Sequence, residues 1–133
     1  MKKYLKEFDK LVNMFTILRS ETGCMWDKKQ THETLLKHLF SEAREVKQAI
    51  RNKDMENLEE ELGDILLQVV FHAQIAKDNK HFNISGVIEK LNKKLIRRHP
   101  HVFGNHKAES VKDVDAIWKK IKEKEKFQKR VTN

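Results

Sequence analysis

Four carboxylates stand in two pairs of equal spacing near the middle of the chain. Glu42 and Glu45 are three residues apart, and so are Glu61 and Asp64. Because residues three apart lie on one face of an α-helix, each pair forms one acidic cluster if its segment is helical. Carboxylates crowded into an apolar setting repel one another and take up protons unless a cation compensates them. The two pairs therefore indicate a site for a divalent cation.

The type of cation follows from the ligand atoms. Carboxylate oxygens suit a hard ion, and Mg²⁺ commonly binds through a few carboxylates together with substrate phosphates. A di-iron helical bundle would need a Glu-x-x-His motif on each of two helices, and no such pair of motifs occurs in this sequence. Mg²⁺ is therefore the expected ion, with Mn²⁺ as the alternative.

Two helices joined by a short polar turn must position these acids. The pattern from residue 32 to residue 77 predicts an antiparallel hairpin that bends at Arg51-Asn52-Lys53-Asp54. Glu45 precedes the turn by six positions, and Glu61 follows it by seven. At about 1.5 Å of rise per residue, both pairs lie roughly 9 to 10 Å from the bend. The four acids are therefore expected to converge.

The residues around the acids indicate that the space between the two acidic pairs is not open solvent. The second helix of the hairpin is apolar almost all round, and its polar exceptions include Asp64, Gln68 and His72, spaced four apart. Such a helix is typically buried. On the first helix we expect a core seam beside an acidic face that carries His38, Glu42, Glu45 and Ala49. The expected core seam consists of Leu36, Leu39, Ala43, Val46 and Ile50.

The rest of the chain also favours helices. We therefore expect one all-α domain over residues 1–133, which forms an antiparallel helical bundle with its core at about 24–118. The periodicity predicts a first helix over 3–19, ended by Gly23, and a charged last helix over 111–129. Between them the following features are expected: a loop over 24–30 around Trp26, an N-cap at Thr31, a fourth helix capped by Ser85 and stopped by Pro100, and a loop over 101–109.

Composition narrows the class of protein. The chain has 133 residues, one cysteine, one proline and four glycines, and 36% of its residues are charged. A single cysteine excludes an internal disulfide, and no segment approaches the roughly 20 apolar residues of a membrane span, so we expect a cytoplasmic protein. The net charge of +8 is concentrated near residues 90–101 and 119–130. It is compatible with a nucleic acid, an anionic membrane or a phosphorylated small molecule.

Four stretches in this order resemble the MazG nucleoside triphosphate pyrophosphohydrolases. They are Cys-Met-Trp-Asp-Lys-Lys-Gln-Thr-His at 24–32, Glu-x-x-Glu at 42–45, Glu-Leu-Gly-Asp-Ile-Leu-Leu-Gln-Val-Val-Phe-His-Ala-Gln at 61–74, and Lys-Leu-Ile-Arg-Arg-His-Pro-His-Val-Phe-Gly at 94–104. The resemblance runs from about Cys24 to Trp118. It implies an all-α fold, association at least as dimers, and Mg²⁺-dependent cleavage of a nucleoside triphosphate into a monophosphate and pyrophosphate.

The resemblance also assigns roles to residues. It places the metal-binding and catalytic acids at Glu42, Glu45, Glu61 and Asp64, which the spacing had already selected. It places nucleotide contacts on the basic segment 94–98 and on Trp118. The full set of expected substrate-contacting residues is His38, Glu60, Lys94, Arg97, Arg98, Trp118 and Trp26. Arginine forks and lysines suit phosphates, and an indole face suits a base of any identity.

Two departures from the family pattern bear on activity. Ser41 stands where the family usually has the first of two adjacent glutamates, and Met25 replaces the usual proline of the Cys-Pro-Trp-Asp loop. A missing acid would reduce activity, or would leave its task to another group such as Glu60. One alternative is therefore a catalytically impaired homologue. The other is a basic helical module that binds nucleic acid, although clustered carboxylates would repel a polyanion.

Overall fold

The computed structural model describes residues 1–132, and all regular secondary structure in that range is helical. This confirms the predicted all-α class. None of the helices in this range is long and apolar enough to cross a membrane. The helices are α1 (Lys3–Leu18), α2 (Met25–Lys29), α3 (His32–Arg51), α4 (Met55–Asp78), α5 (Ile84–Arg98), α6 (Pro100–Phe103) and α7 (Val111–Thr132).

The chain divides into two compact units. The first extends from Met1 to Ile84 and contains α1 to α4, and the second begins at Ser85 and contains most of α5 together with α6 and α7. The organisation of residues 1–133 as a single domain stays a prediction.

The α3–α4 hairpin is defined by its caps. Thr31 and Thr34 form a reciprocal capping box at the start of α3, which confirms the predicted N-cap at Thr31. At the bend, Lys53 takes the left-handed conformation with φ 54°, and the N–H of Asp54 donates to the carbonyl of Ala49 at 3.1 Å. The Asp54 side chain then caps α4 by accepting the N–H of Asn57 at 3.1 Å. The predicted turn therefore ends one helix and begins the next.

Helix α4 carries the core of the first unit and packs against both α1 and α3. Its buried residues Val70, Phe71 and Ile75 cluster with Phe15 of α1 and Leu35 of α3. The rings of Phe15 and Phe71 lie 5.0 Å apart between centroids, inclined by 52°. Burial of α4 is thus confirmed for its second half.

The predicted core seam of α3 is wrong in part. Leu36, Ala43 and Ile50 are exposed, whereas Leu35 and Ala49 are fully buried. The packed face is therefore rotated by one residue, or about 100°, from the predicted seam. The error arose because α3 has two adjacent apolar faces, and periodicity alone does not say which of them meets α4.

Three boundaries also differ from the predictions. Residues Met25–Lys29 form a short helix rather than a loop. Helix α5 begins at Ile84, so Ser85 lies inside its first turn and does not precede it. Pro100 follows a one-residue break and starts α6, so the stretch up to Phe103 is helical. A proline is well tolerated at the first position of a helix, where no N–H is required.

Arg19 fixes the segment that carries Trp26. Its guanidinium donates to the carbonyl oxygens of Asp27 and Gln30, and its Nε lies 2.9 Å from an oxygen of Asp78 at the end of α4. The same group lies 5.9 Å from the ring centre of Phe71. One side chain thus connects α1, the α2 segment and α4.

In the second unit, one carboxylate joins α5 to α7. Arg97 donates through Nε and Nη2 to Oε2 of Glu125 at 2.8 and 2.6 Å, and Arg98 donates to Oε1 through the same two atoms at 3.2 and 2.9 Å. These charge-assisted hydrogen bonds hold the pKa of Glu125 below its ordinary value, and the bond from Arg98 has the largest effect. The ion pairs therefore stabilise the second unit wherever Glu125 is ionised.

We expect Glu125→Gln to lower the free energy of unfolding by about 1 kcal/mol at neutral pH, since the pairs are partly exposed to solvent. A carboxyl whose pKa is lowered by folding stabilises above its unfolded value of 4.5, and this contribution disappears as pH falls through the lower folded value. Urea unfolding at pH 7 and pH 3 measures the difference. Glu123→Gln on the same helix is the control. An equal loss at both pH values would contradict the ionic origin.

Candidate metal centre

Three carboxylates from the two arms of the hairpin meet at one point. Glu42 comes from α3, and Glu61 and Asp64 come from α4; one oxygen of each lies within 4.8 Å of an oxygen of the others. All three residues are half-buried. Within residues 1–132, no other group of three or more potential metal ligands is this close together.

Glu45 stands at the margin of this group. It is exposed and does not belong to the trio, although its charge acts on Glu42 and Glu61. Glu45 lies about 60° around α3 from Glu42, whereas a step of seven residues returns to nearly the same face. Glu42 lies seven residues from both Leu35 and Ala49, which are buried, so it faces α4 while Glu45 turns toward solvent.

The trio gathers negative charge at a half-buried place. None of the ion pairs among residues 1–132 includes Glu42, Glu61 or Asp64. Desolvation, followed by the charges of Asp64 and Glu45, raises the pKa of Glu42. Desolvation and then the charge of Asp64 raise the pKa of Glu61. An all-oxygen donor set under such repulsion fits a hard divalent cation.

A cavity of about 460 Å³ opens beside the trio and shares Glu42 with it. Its walls come from α1, α2, α3 and α4, and most of its lining side chains are apolar. Trp26 and His38 also line it, with ring centroids 5.7 Å apart in an edge-to-face arrangement. Because Trp26 is 52% exposed, its ring is accessible to a ligand.

The sequence-selected basic residues lie in the second unit. Arg97 and Arg98 are engaged by Glu125, and Lys94 is exposed. Trp118 is half-buried, packs edge-to-face on His99 at 5.5 Å, and has a buried Nε1 with no hydrogen-bond partner among the described residues.

Glu60, the remaining candidate, is exposed on α4 and is not part of the acidic trio.

The sequence-based predictions include no metal or substrate role for Gln68 and His72 of α4. Gln68 lines the cavity, and His72 stacks on His32 with their Nδ1 atoms 2.8 Å apart. The signal was present in the spacing of Asp64, Gln68 and His72, which places all three on one face of the helix. Polar residues on the buried face of an apolar helix call for an explanation in terms of partners or ligands.

The architecture defines a class: a helical protein whose acidic trio suits a divalent cation and whose adjoining cavity suits an organic ligand. The protein-family model described as "MazG nucleotide pyrophosphohydrolase domain" matches residues 30–103. The solved structure described as "Crystal structure of mazG-related protein from Thermotoga maritima" is similar, with a TM-score of 0.71 and 34% identity, over 86% of this chain and 98% of that chain.

Curated relatives agree with this match. The chain is 51% identical over 123 residues to the "Nucleoside triphosphate pyrophosphohydrolase/pyrophosphatase MazG" of Thermotoga maritima, covering 92% of this chain and 47% of that protein. It is 41% identical over 126 residues to the "Nucleoside triphosphate pyrophosphohydrolase" of Escherichia coli K12, covering 94% and 48%. The chain thus spans about half the length of these relatives. It belongs to the MazG nucleotide pyrophosphohydrolase family.

We expect Mg²⁺ to raise the melting temperature of the protein, because the ion relieves repulsion within the trio. At a free concentration ten times its Kd, binding stabilises by about 1.4 kcal/mol, or roughly 3 to 8 °C for a small domain. Glu42→Gln should melt higher than the wild type without metal and should gain little from Mg²⁺. Differential scanning calorimetry, with K⁺ at equal ionic strength as the control, measures both effects. An unchanged Mg²⁺ response in Glu42→Gln would contradict binding at the trio.

Proposed function

We propose that this chain is a Mg²⁺-dependent nucleoside triphosphate pyrophosphohydrolase that releases a nucleoside monophosphate and pyrophosphate. The observation that carries this proposal is the convergence of Glu42, Glu61 and Asp64 beside a cavity of about 460 Å³. The names of the curated relatives support the same reaction. Mn²⁺ has the same preference for oxygen ligands and is the alternative ion.

The acidic trio would hold the metal, and the cavity would hold the nucleoside. When bound, Mg²⁺ would neutralise phosphate charge and favour the deprotonation of water. Because Glu42 belongs to both trio and cavity, a nucleotide bound in the cavity would have its phosphates next to the carboxylates. Glu45 adds negative charge at the margin, which strengthens attraction for a divalent cation.

Basic and aromatic residues are further candidates for contacts with the substrate. We assign phosphate contacts to Lys94, Arg97 and Arg98, and stacking on the base to Trp26 and Trp118. Since Glu125 already accepts hydrogen bonds from both arginines, a phosphate must compete with this carboxylate for them. Lys94 has no such competitor, because it takes part in none of the ion pairs within residues 1–132.

We also propose that the protein works as a homodimer or a higher homo-oligomer in the cytoplasm. Leu36 and Phe40 on α3 are exposed, and so are Leu62, Leu66 and Val69 on α4. Leu36 and Phe40 are four residues apart, and Leu62, Leu66 and Val69 follow one another at steps of four and three residues. Each set therefore lies on one helix face. Apolar stripes of this kind on a hairpin are typical of surfaces that a second subunit covers.

We expect Glu42→Gln and Asp64→Asn to lower kcat by about 100-fold or more, because each removes a charge that holds the cation. The assay measures pyrophosphate release from a panel of nucleoside triphosphates with and without Mg²⁺. Glu59→Gln, which removes an exposed acid of α4 outside the trio, is the matched control. Circular dichroism checks that helix content is retained. Full activity without Mg²⁺, or in both variants, would contradict the proposal.

The same assay tests the alternative that this chain is a catalytically impaired homologue. The half-buried Ser41 beside Glu42 favours this alternative. A large gain in rate for Ser41→Glu, but not for Ser41→Ala, would show that the natural chain is impaired. Equal rates in all three proteins would show that position 41 needs no acid.

A further inference from the structure

Helix α4 buries two glutamines whose side chains differ in their hydrogen bonding. Gln74 is 7% exposed and fully engaged: its Oε1 accepts the Thr16 hydroxyl at 3.2 Å, and its Nε2 donates to Asp78 at 3.0 Å. Gln68 is 4% exposed, and its buried Oε1 has no hydrogen-bond partner among the described residues. A buried amide oxygen without a partner destabilises a fold. Stability alone therefore does not explain a glutamine at position 68.

The place of Gln68 relates it to the candidate site. It lines the cavity of about 460 Å³ that also includes Glu42. It follows Asp64 by four residues, so it lies one turn further along the same face of α4. The volume falls within the range of about 300 to 1,000 Å³ that is typical of small-molecule sites. A ligand whose charged end meets the trio would therefore extend toward Gln68.

The chemistry of the cavity selects the part of a nucleotide that enters it. Apart from Glu42 and Gln68, the polar contributors are Trp26, Asp27 and His38, and the other lining side chains are apolar. Apolar walls suit the faces of a flat heteroaromatic ring, whereas its edge needs hydrogen-bond partners. An amide offers an acceptor and a donor side by side, which matches the alternating groups on a base edge.

We propose that Gln68 reads the edge of the nucleobase, with its Oε1 accepting an N–H of the base. This inference rests on the proposed function, since it takes a nucleoside triphosphate as the ligand. Gln68 is thus a specificity-determining residue, separate from the acids that hold the cation. Its unpaired oxygen gains its partner when the base enters the cavity.

Two substitutions and a matched control test this role. Gln68→Met keeps the approximate shape and removes the amide, while Gln74→Met does the same at the engaged glutamine. Gln68→Glu leaves acceptors only, and such a group pairs best with guanine, whose edge presents two adjacent N–H donors. The readouts are kcat/KM for ATP, GTP, CTP and UTP, calorimetric binding of the four monophosphates, and the melting temperature.

We expect Gln68→Met to reduce the spread of kcat/KM among the four bases by roughly tenfold, since one hydrogen bond is lost. Gln68→Glu should raise the ratio of GTP to ATP, in both turnover and monophosphate binding. Gln74→Met should lower the melting temperature and leave the base ratios unchanged, whereas Gln68→Met should melt no lower than the wild type.

The outcomes separate this inference from the proposed function. Pyrophosphate release by the wild type from none of the four nucleotides would overturn the function itself. Release with base ratios that are the same in the wild type, Gln68→Met and Gln68→Glu would overturn only the role of Gln68. A loss of melting temperature in Gln68→Met as large as in Gln74→Met would make Gln68 a structural residue and would also overturn it.

Discussion

The mutual repulsion of Glu42, Glu61 and Asp64 is the constraint on which the rest of the structure depends. Three carboxylates whose oxygens approach within 4.8 Å, with no basic partner among residues 1–132, destabilise the hairpin that carries them. The cost is tolerable only because α3 and α4 are held together by other means. A divalent cation bound at the trio would relieve this repulsion, because the ion would turn an unfavourable cluster into a set of ligands.

The hairpin is held by its ends and its core rather than by the acids. The turn at Lys53 and Asp54 ends α3 and begins α4 with hydrogen bonds, which fixes the relative heights of the two helices. Ala49, fully buried one turn before the bend, allows the helices to approach closely. At the other end Leu35 packs with Phe71 in the core cluster. Glu42 lies between these two packed points and therefore faces α4.

Local sequence was sufficient for much of this arrangement. The class, the hairpin and the position of its turn follow from periodicity and from cap residues such as Thr31, whose role depends on its immediate neighbours. The faces of α3 did not follow, because Leu35 and Leu36 are equally apolar and only the packing against α4 distinguishes them. The position of Glu45 also depends on which face of α3 packs against α4, because a rotation of about 100° moves Glu45 from the cluster to its margin. The partnering of Arg97 and Arg98 with Glu125, 27 or 28 residues away, has no local signature at all.

The most direct measurement is the anomalous-difference map of a crystal soaked in Mn²⁺, collected at the manganese absorption edge. We expect a peak at coordination distance from carboxylate oxygens of Glu42, Glu61 and Asp64, and no such peak at the trio in Glu42→Gln. A map of the wild-type protein without density among these three residues, or with manganese bound only elsewhere, would contradict the proposed metal centre.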